Sequence, residues 1–192
     1  MSSTELIKQL RDETGVSIMQ CKKALEESGQ DIEQAKIALR KISAQISAKK
    51  SDRELGSGVV QAYIHAGNSV AGVVVLACET DFVAKNEEFV KVAYDIAMHV
   101  AAIAPEFLSR DEVTEDATSA AQKLFVEEAS DKPEEMREKI IEGKMNSFLK
   151  EKVLLEQPFV KNGDITVQGL LNEATQKFGE RIEISEISRF AV

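Results

Sequence analysis

A chain of 192 residues, 43% hydrophobic and 30% charged, is long enough for one sizeable core with a smaller satellite, and its composition is that of a soluble globular protein. The net charge of −9 argues against a general nucleic-acid binder, and no apolar run reaches the length of about 18 residues that a membrane span needs. Cys21 and Cys78 are far apart, and the polar start Met1-Ser2-Ser3-Thr4-Glu5 lacks the basic flank and apolar stretch of a signal peptide, which together suit a reduced, cytoplasmic setting.

Charge is unevenly spread. Residues 1–53 carry ten Lys/Arg against eight Asp/Glu, while the remainder carries fourteen against twenty-five. A near-neutral piece on an acidic body predicts two parts, a three-helix domain with its linker over 1–53 and an α+β core over 54–192. In the first part Thr4 is the expected cap of a short helix with Leu6, Ile7 and Leu10 on its apolar face, ended by Thr14-Gly15. Ser17 and Gln20 have capping-box spacing and open a second helix, with Ile18, Cys21 and Leu25 on one face and a stop at Gly29. Asp31 opens a third, on which Ile32, Ala35, Leu39, Ile42 and Ile46 recur by three and four. Such a bundle has a thin core and is expected to lean on something else. Periodicity is lost from Ala48 to Arg53, the predicted linker.

A hairpin follows, with strands Val59–His65 and Val70–Cys78 joined by Ala66-Gly67-Asn68-Ser69. The second strand is apolar on both faces and is expected inside the sheet. A helix then begins at Asn86, with Phe89, Ala93, Ile96, Ala97, Val100 and Ala104 on one side, and ends at Pro105. The acidic stretch Ser109–Ser130 holds a weaker helix with Ala121, Leu124 and Phe125. A second helix from Pro133 places Met136, Ile140, Met145, Phe148 and Leu149 on its apolar side, and the two are expected to form a helical hairpin. Val153–Val160 reads as extended, Asn162-Gly163 as a turn, and Thr166 as the cap of a last helix through Phe178, closed by Gly179. Ile182–Ala191 is a final strand whose alternation slips between Ile184 and Ile187, which suits a bulge.

Between the apolar second strand and the helix at Asn86 lies Cys78-Glu79-Thr80-Asp81-Phe82-Val83-Ala84-Lys85. A large aromatic on such a connection either folds back into the core or is held out for another molecule, and the residues alone leave both open. Catalytic signals are scarce. The chain has neither a phosphate-binding Gly-rich loop nor Gly-x-Ser-x-Gly, and its two histidines, His65 at a hairpin end and His99 on a helix flank, have no Cys or carboxylate at metal-ligand spacing. Neither enzymatic chemistry nor a cofactor or metal is therefore expected. Acidic pairs such as Glu87-Glu88 stand at helix starts, where the macrodipole accounts for them.

Two segments carry a family resemblance. Leu10-Arg11-Asp12-Glu13-Thr14-Gly15-Val16-Ser17-Ile18-Met19-Gln20-Cys21-Lys22-Lys23-Ala24-Leu25 resembles the N-terminal signature of bacterial elongation factor Ts, and Cys78–Asn86 resembles its second signature, centred on Thr-Asp-Phe-Val. Ile96–Ala101, Pro105-Glu106-Phe107, Ile140–Met145 and Leu155–Val160 continue the match in order. The resemblance implies a ubiquitin-associated-like bundle ahead of the α+β core, and a factor that releases GDP from elongation factor Tu. One hairpin and one Thr-Asp-Phe-Val are similar to the short form of the family, which implies a homodimer and a two-plus-two assembly with Tu, in its GDP-bound and nucleotide-free states. It implies no direct contact with nucleic acid or membrane.

Carried over by motif, Phe82 is expected to wedge into an apolar slot of the Tu nucleotide domain and Asp81 to help displace the elements that hold Mg²⁺, with Thr80 and Val83 shaping the loop. Arg11 and the exposed side of Val16, Ile18 and Met19 are the expected second contact. Ser17 and Ile18 depart from the Gly and Met common there. His99 matches a family histidine on a helix that touches another Tu domain. Two further classes stay open on the residues: a ubiquitin-fold or peptide-binding module on a dimerising scaffold, and a metabolic enzyme using Cys78–Asp81.

Overall fold

The structure, a computed structural model, describes residues 2–192. Helices α1 (Ser3–Thr14), α2 (Ile18–Glu27) and α3 (Ile32–Ala48) enclose one hydrophobic cluster, built on Leu10, Val16, Cys21, Leu25, Ala35 and Leu39. The hydroxyls and carboxylate that cap α2 and α3 are the expected ones, with Ser17 accepting from the Gln20 amide and Asp31 from the Gln34 amide. The cap of α1 is Ser2, not Thr4. Ser2 stands three residues before Glu5, so its hydroxyl takes the Glu5 amide while the Glu5 carboxylate takes the Ser2 amide; three residues after Thr4 stands Ile7, which cannot reciprocate.

The second cluster is organised by a three-stranded antiparallel sheet of β1 (Ser57–Ile64), β2 (Val70–Cys78) and β5 (Ile182–Ala191), with β2 in the middle. Its inner face carries Val59, Val74, Leu76, Ile182 and Ile184 against Phe89, Ala93, Ile96, Ala97 and Val100 of α5 (Glu87–Ile103). Full burial of side chains as large as Phe89 and Ile96 contributes about 2 kcal/mol each. The approach of β2 to α5 depends on Gly72, where a Cβ would run into the Ala97 carbonyl oxygen. Pairing along β5 shifts between the partners of Val75 and Leu76, leaving Ser185 unopposed. This bulge lies where the alternation slips, and it returns Ile187 to the inner side.

Between β2 and α5 lies the one-turn helix α4 (Asp81–Ala84). After α5 the chain forms α6 (Glu115–Glu128) and α7 (Glu134–Lys152), a helical hairpin in which Phe125 meets Phe148 edge to face. No side chain within either helix is buried, because the hairpin packs on itself alone along most of its length; the apolar side expected for α7 is only half covered, and Met136 is exposed. A short second sheet, β3 (Pro158–Phe159) with β4 (Asn162–Thr166), leads into α8 (Val167–Phe178), capped by Thr166 and stopped by Gly179 in the left-handed conformation. Val160-Lys161 makes the β3–β4 turn, and Asn162-Gly163 already belongs to β4. Tertiary contacts set this position: the Val160 amide donates to His99 Nδ1 at 3.1 Å, and Lys161 Nζ pairs with Asp95 at 2.9 Å.

The bundle does lean on a neighbour, and that neighbour is α8. Arg40 pairs with Glu173 at 3.3 Å, Gln176 donates to Gln20 at 3.4 Å, and Lys50 Nζ donates to the Gly179 carbonyl at 2.6 Å. Among the described residues no helix is long and apolar enough to cross a membrane.

Candidate functional site

Phe82 is 80% exposed at the tip of α4, while the next two residues, Val83 and Ala84, are buried in the core cluster. The chain therefore anchors two side chains and turns the aromatic outward, which excludes the reading that it folds back into the core. A single helical turn is not stable by itself, since nucleation costs more than one hydrogen bond returns. Its support comes from capping and from tertiary contacts. Thr80 Oγ1 accepts from the Val83 amide, and the Cys78 thiol donates to the Thr80 carbonyl at 3.2 Å. Asp81 is exposed and pairs with Lys85 at 2.6 Å; that ammonium holds its carboxyl below the usual carboxylate range.

Two carboxylates lock the base of this turn to the segment after α8. Glu180 Oε2 accepts from the amides of Glu79 (3.1 Å) and Thr80 (3.0 Å), and its Oε1 accepts from the Thr80 hydroxyl at 2.6 Å. In return Glu79 Oε1 accepts from the Arg181 amide at 2.6 Å, and both Glu79 oxygens accept from Arg53 at 3.1 and 3.2 Å. The Arg181 amide, and then Arg53, keep the Glu79 carboxyl below its ordinary range. Burial pushes the Cys78 thiol up, with Glu180 adding to the effect, so the thiolate a nucleophile needs is disfavoured. Among the described residues, no group of three or more His, Cys, Asp or Glu is placed to hold a metal ion.

The second expected contact divides. Met19 is 81% exposed at the start of α2, Ile18 beside it is exposed, and Arg11 is exposed on α1. Val16 is only 5% exposed: it follows the left-handed Gly15 and turns into the bundle core, so it supports this surface from behind and does not form it. His99 is likewise not on a helix flank open to a partner. It is 0% exposed, its Nε2 lies 2.8 Å from Gln157 Oε1, and its Nδ1 accepts the Val160 amide. With Nδ1 an acceptor, Nε2 carries the proton. Burial lowers the His99 pKa, which keeps the ring neutral. Gln157 in turn donates to the Glu151 carbonyl in the last turn of α7, so His99 fastens the foot of the helical hairpin to α5.

Ile18-Met19 and Phe82 are tethered to the same end of α8, the former through Gln20 to Gln176 and the latter through Glu180. Glu180 and Arg53 have no signature in the sequence, and Glu79 lies inside the second signature without its bonds being legible there. The only local hint is that Glu180 follows the helix stop at Gly179, a place that fixes a side chain's direction without naming its target.

A family described as elongation factor TS matches residues 3–192. The chain is 43% identical to elongation factor Ts of Thermosipho melanesiensis over 100% of its own length and 99% of that protein's. It is 44% identical to elongation factor Ts of Desulfotalea psychrophila, covering 99% of this chain and 97% of that one, and 45% identical to that of Acetivibrio thermocellus, covering 99% and 89%. With nearly every residue inside the match, the chain belongs to the elongation factor Ts family of translation factors.

Proposed function

We propose that this protein is a guanine nucleotide exchange factor for elongation factor Tu, acting through the Thr80–Val83 turn and without making or breaking covalent bonds. The observation that carries the reading is Phe82, held 80% exposed on a turn whose neighbours Val83 and Ala84 are buried. Exposure of so large an apolar surface on an anchored support is the mark of a contact residue. Phe82 enters an apolar slot in the nucleotide domain of Tu, and Asp81 helps push away the elements that hold Mg²⁺. Loss of the metal removes the strongest charge on the diphosphate. An exchange factor binds the nucleotide-free partner more tightly than the loaded one, so by linkage factor and GDP weaken each other reciprocally, and GTP then loads by mass action. Ile18, Met19 and Arg11 supply a second grip, set in place by the buried Val16. His99 acts from inside, by holding the β3–β4 turn and the hairpin foot. The place of work is the cytoplasm, where translation runs.

The protein also pairs with a second copy through the outer face of its sheet. Val60, Ile64 and Phe190 are exposed there beside half-buried Val73 and Val75, so that apolar side chains of all three strands neighbour one another on this face. Light scattering should give twice the chain mass, and Ile64→Glu should return it to one; a single-chain mass for the unchanged protein removes the pairing. For exchange, elongation factor Tu is loaded with fluorescent GDP and release is followed after adding this protein. Acceleration is expected, and release at the unassisted rate would rule out the exchange reading in favour of a peptide-binding module.

A further inference from the structure

We infer that Glu180 is a positioning residue for exchange: its carboxylate sets the Thr80 side chain and thereby the direction in which Asp81 and Phe82 are presented. This rests on the exchange-factor reading and deepens it. Glu180 touches none of the residues proposed to meet the partner except Thr80, which it holds with two hydrogen bonds, while a third goes to the amide of Glu79.

The argument begins with what α4 lacks. Four residues cannot hold their own geometry, and the cap bond from the Val83 amide to Thr80 Oγ1 is long, at 3.4 Å. A threonine hydroxyl is free to rotate unless its proton is taken. Here Glu180 Oε1 takes it at 2.6 Å, a short charge-assisted bond that turns the remaining lone pairs of Oγ1 toward the Val83 amide. Glu180 Oε2 accepts the amides of Glu79 and Thr80, the two residues immediately before the helix. Side chain and backbone of the cap are thus fixed by one carboxylate. That carboxylate comes from the far end of the sequence, 100 residues beyond Thr80.

Glu180 is fixed in turn. Gly179 stops α8 in a left-handed conformation, Lys50 holds the Gly179 carbonyl, and the Arg181 amide is held by Glu79. Lys50 and Arg53 lie at the end of the N-terminal bundle, and Arg53 also bonds Glu79. The direction of Phe82 is therefore defined relative to the bundle surface carrying Ile18 and Met19. A partner gripped by the bundle meets the aromatic at one fixed offset, without paying to order the turn on binding.

The test is the GDP-release assay with full-length protein over a range of concentrations, which separates the maximal rate from the half-saturating concentration. Glu180→Ala should lower the maximal rate about tenfold while moving half-saturation less than about twofold, because the bundle grip is untouched. Glu180→Gln should recover only part of the lost rate, since its carbonyl oxygen takes both amides while its NH₂ donates to Thr80 Oγ1 and leaves the hydroxyl proton untaken. Added to Thr80→Val, Glu180→Ala should cost little more, as both remove one device. An unchanged maximal rate in Glu180→Ala, a loss confined to half-saturation, or a Gln variant as poor as the Ala variant overturns the inference while exchange by the unchanged protein stands. If Glu180→Ala fails to fold, Glu180→Asp decides: it keeps the charge one methylene short, and a full maximal rate overturns the inference. Failure of the unchanged protein to release GDP overturns the exchange reading and this inference together.

Discussion

Phe82 on α4 and Leu124 on α6 are both large apolar side chains turned to solvent, and they are mounted in opposite ways. Behind Phe82 stand two buried anchors, a capping hydroxyl and two carboxylate clamps. Behind Leu124 stands a helical hairpin with no buried side chain in either helix, joined to the body at its foot. There Arg110 bonds Glu156, Lys152 bonds Glu106, and the His99–Gln157 pair reaches the last turn of α7. Exposure alone therefore does not mark a site in this molecule. An apolar side chain presented by a support that gives no ground can exclude alternatives when a partner arrives, whereas one on a self-packed arm covers its own helix pair.

The contrast can be broken first at its base. Gly72→Val forces a side chain into the Ala97 carbonyl and should cost about 3 kcal/mol or more, seen as a fall in melting temperature with loss of the β2–α5 contact that carries the whole turn. A melting curve like that of the unchanged protein would show that β2 and α5 do not need this approach. Removing the tip alone is the next largest effect. Phe82→Ala should leave stability within about 0.5 kcal/mol, because the ring is outside the core, yet slow the exchange reaction by about 2 kcal/mol in activation terms, roughly thirtyfold. Chemical denaturation and GDP release read the two halves, and exchange at the original rate would strip Phe82 of its role.

The foot of the hairpin has a pH signature. His99 is neutral in the fold with a pKa below its ordinary 6.5, so the unfolded chain binds the extra proton first as pH falls. Its contribution is complete above 6.5 and is lost as pH falls through the folded value, with a slope of at most about 1.4 kcal/mol per pH unit. His99→Gln should flatten this part of the stability profile. The paired carboxylates Glu13, Glu79 and Glu156, whose pKa values lie below 4.5, should lose their contributions only in more acid solution. Equal slopes in both proteins between pH 6.5 and 5 would assign the dependence elsewhere. The smallest effect belongs to the arm: Leu124→Ser should change stability by less than about 0.5 kcal/mol and leave GDP release at the original rate. A large loss of exchange there would make the hairpin a second working surface and end the contrast with Phe82.

Much of this arrangement is legible in the residues because it is local. Ser17, Asp31 and Thr166 cap the helices they precede, Gly15, Gly29 and Gly179 take the left-handed stops, and the slip between Ile184 and Ile187 is a bulge against β2. Each rests on a hydroxyl, a carboxylate or a missing Cβ within a few positions of the backbone it serves. The position of the Thr80–Val83 turn is legible for the same reason: an apolar strand ends and a capped helix begins. The exposure expected of Val16 and His99 comes with the resemblance, and a matched motif does not report how deeply a neighbouring element covers a residue. Val16 is closed over by its own bundle, and His99 by β3 and the segment carrying Gln157.

What the sequence by itself determined is most of the elements and most of the helix ends, the family and the place of the aromatic. What only the tertiary structure decided is how that aromatic is held. Glu180 finds Thr80 across 100 residues, Arg181 finds Glu79 across 102, and Val160 finds His99 across 61. Contacts at such separations follow no helical or strand period, and a single glutamate after a helix stop looks the same whether it faces water or two backbone amides. Only when α8 is laid against both the bundle and the sheet does Glu180 acquire donors. At that point Phe82 becomes a fixed feature of the surface.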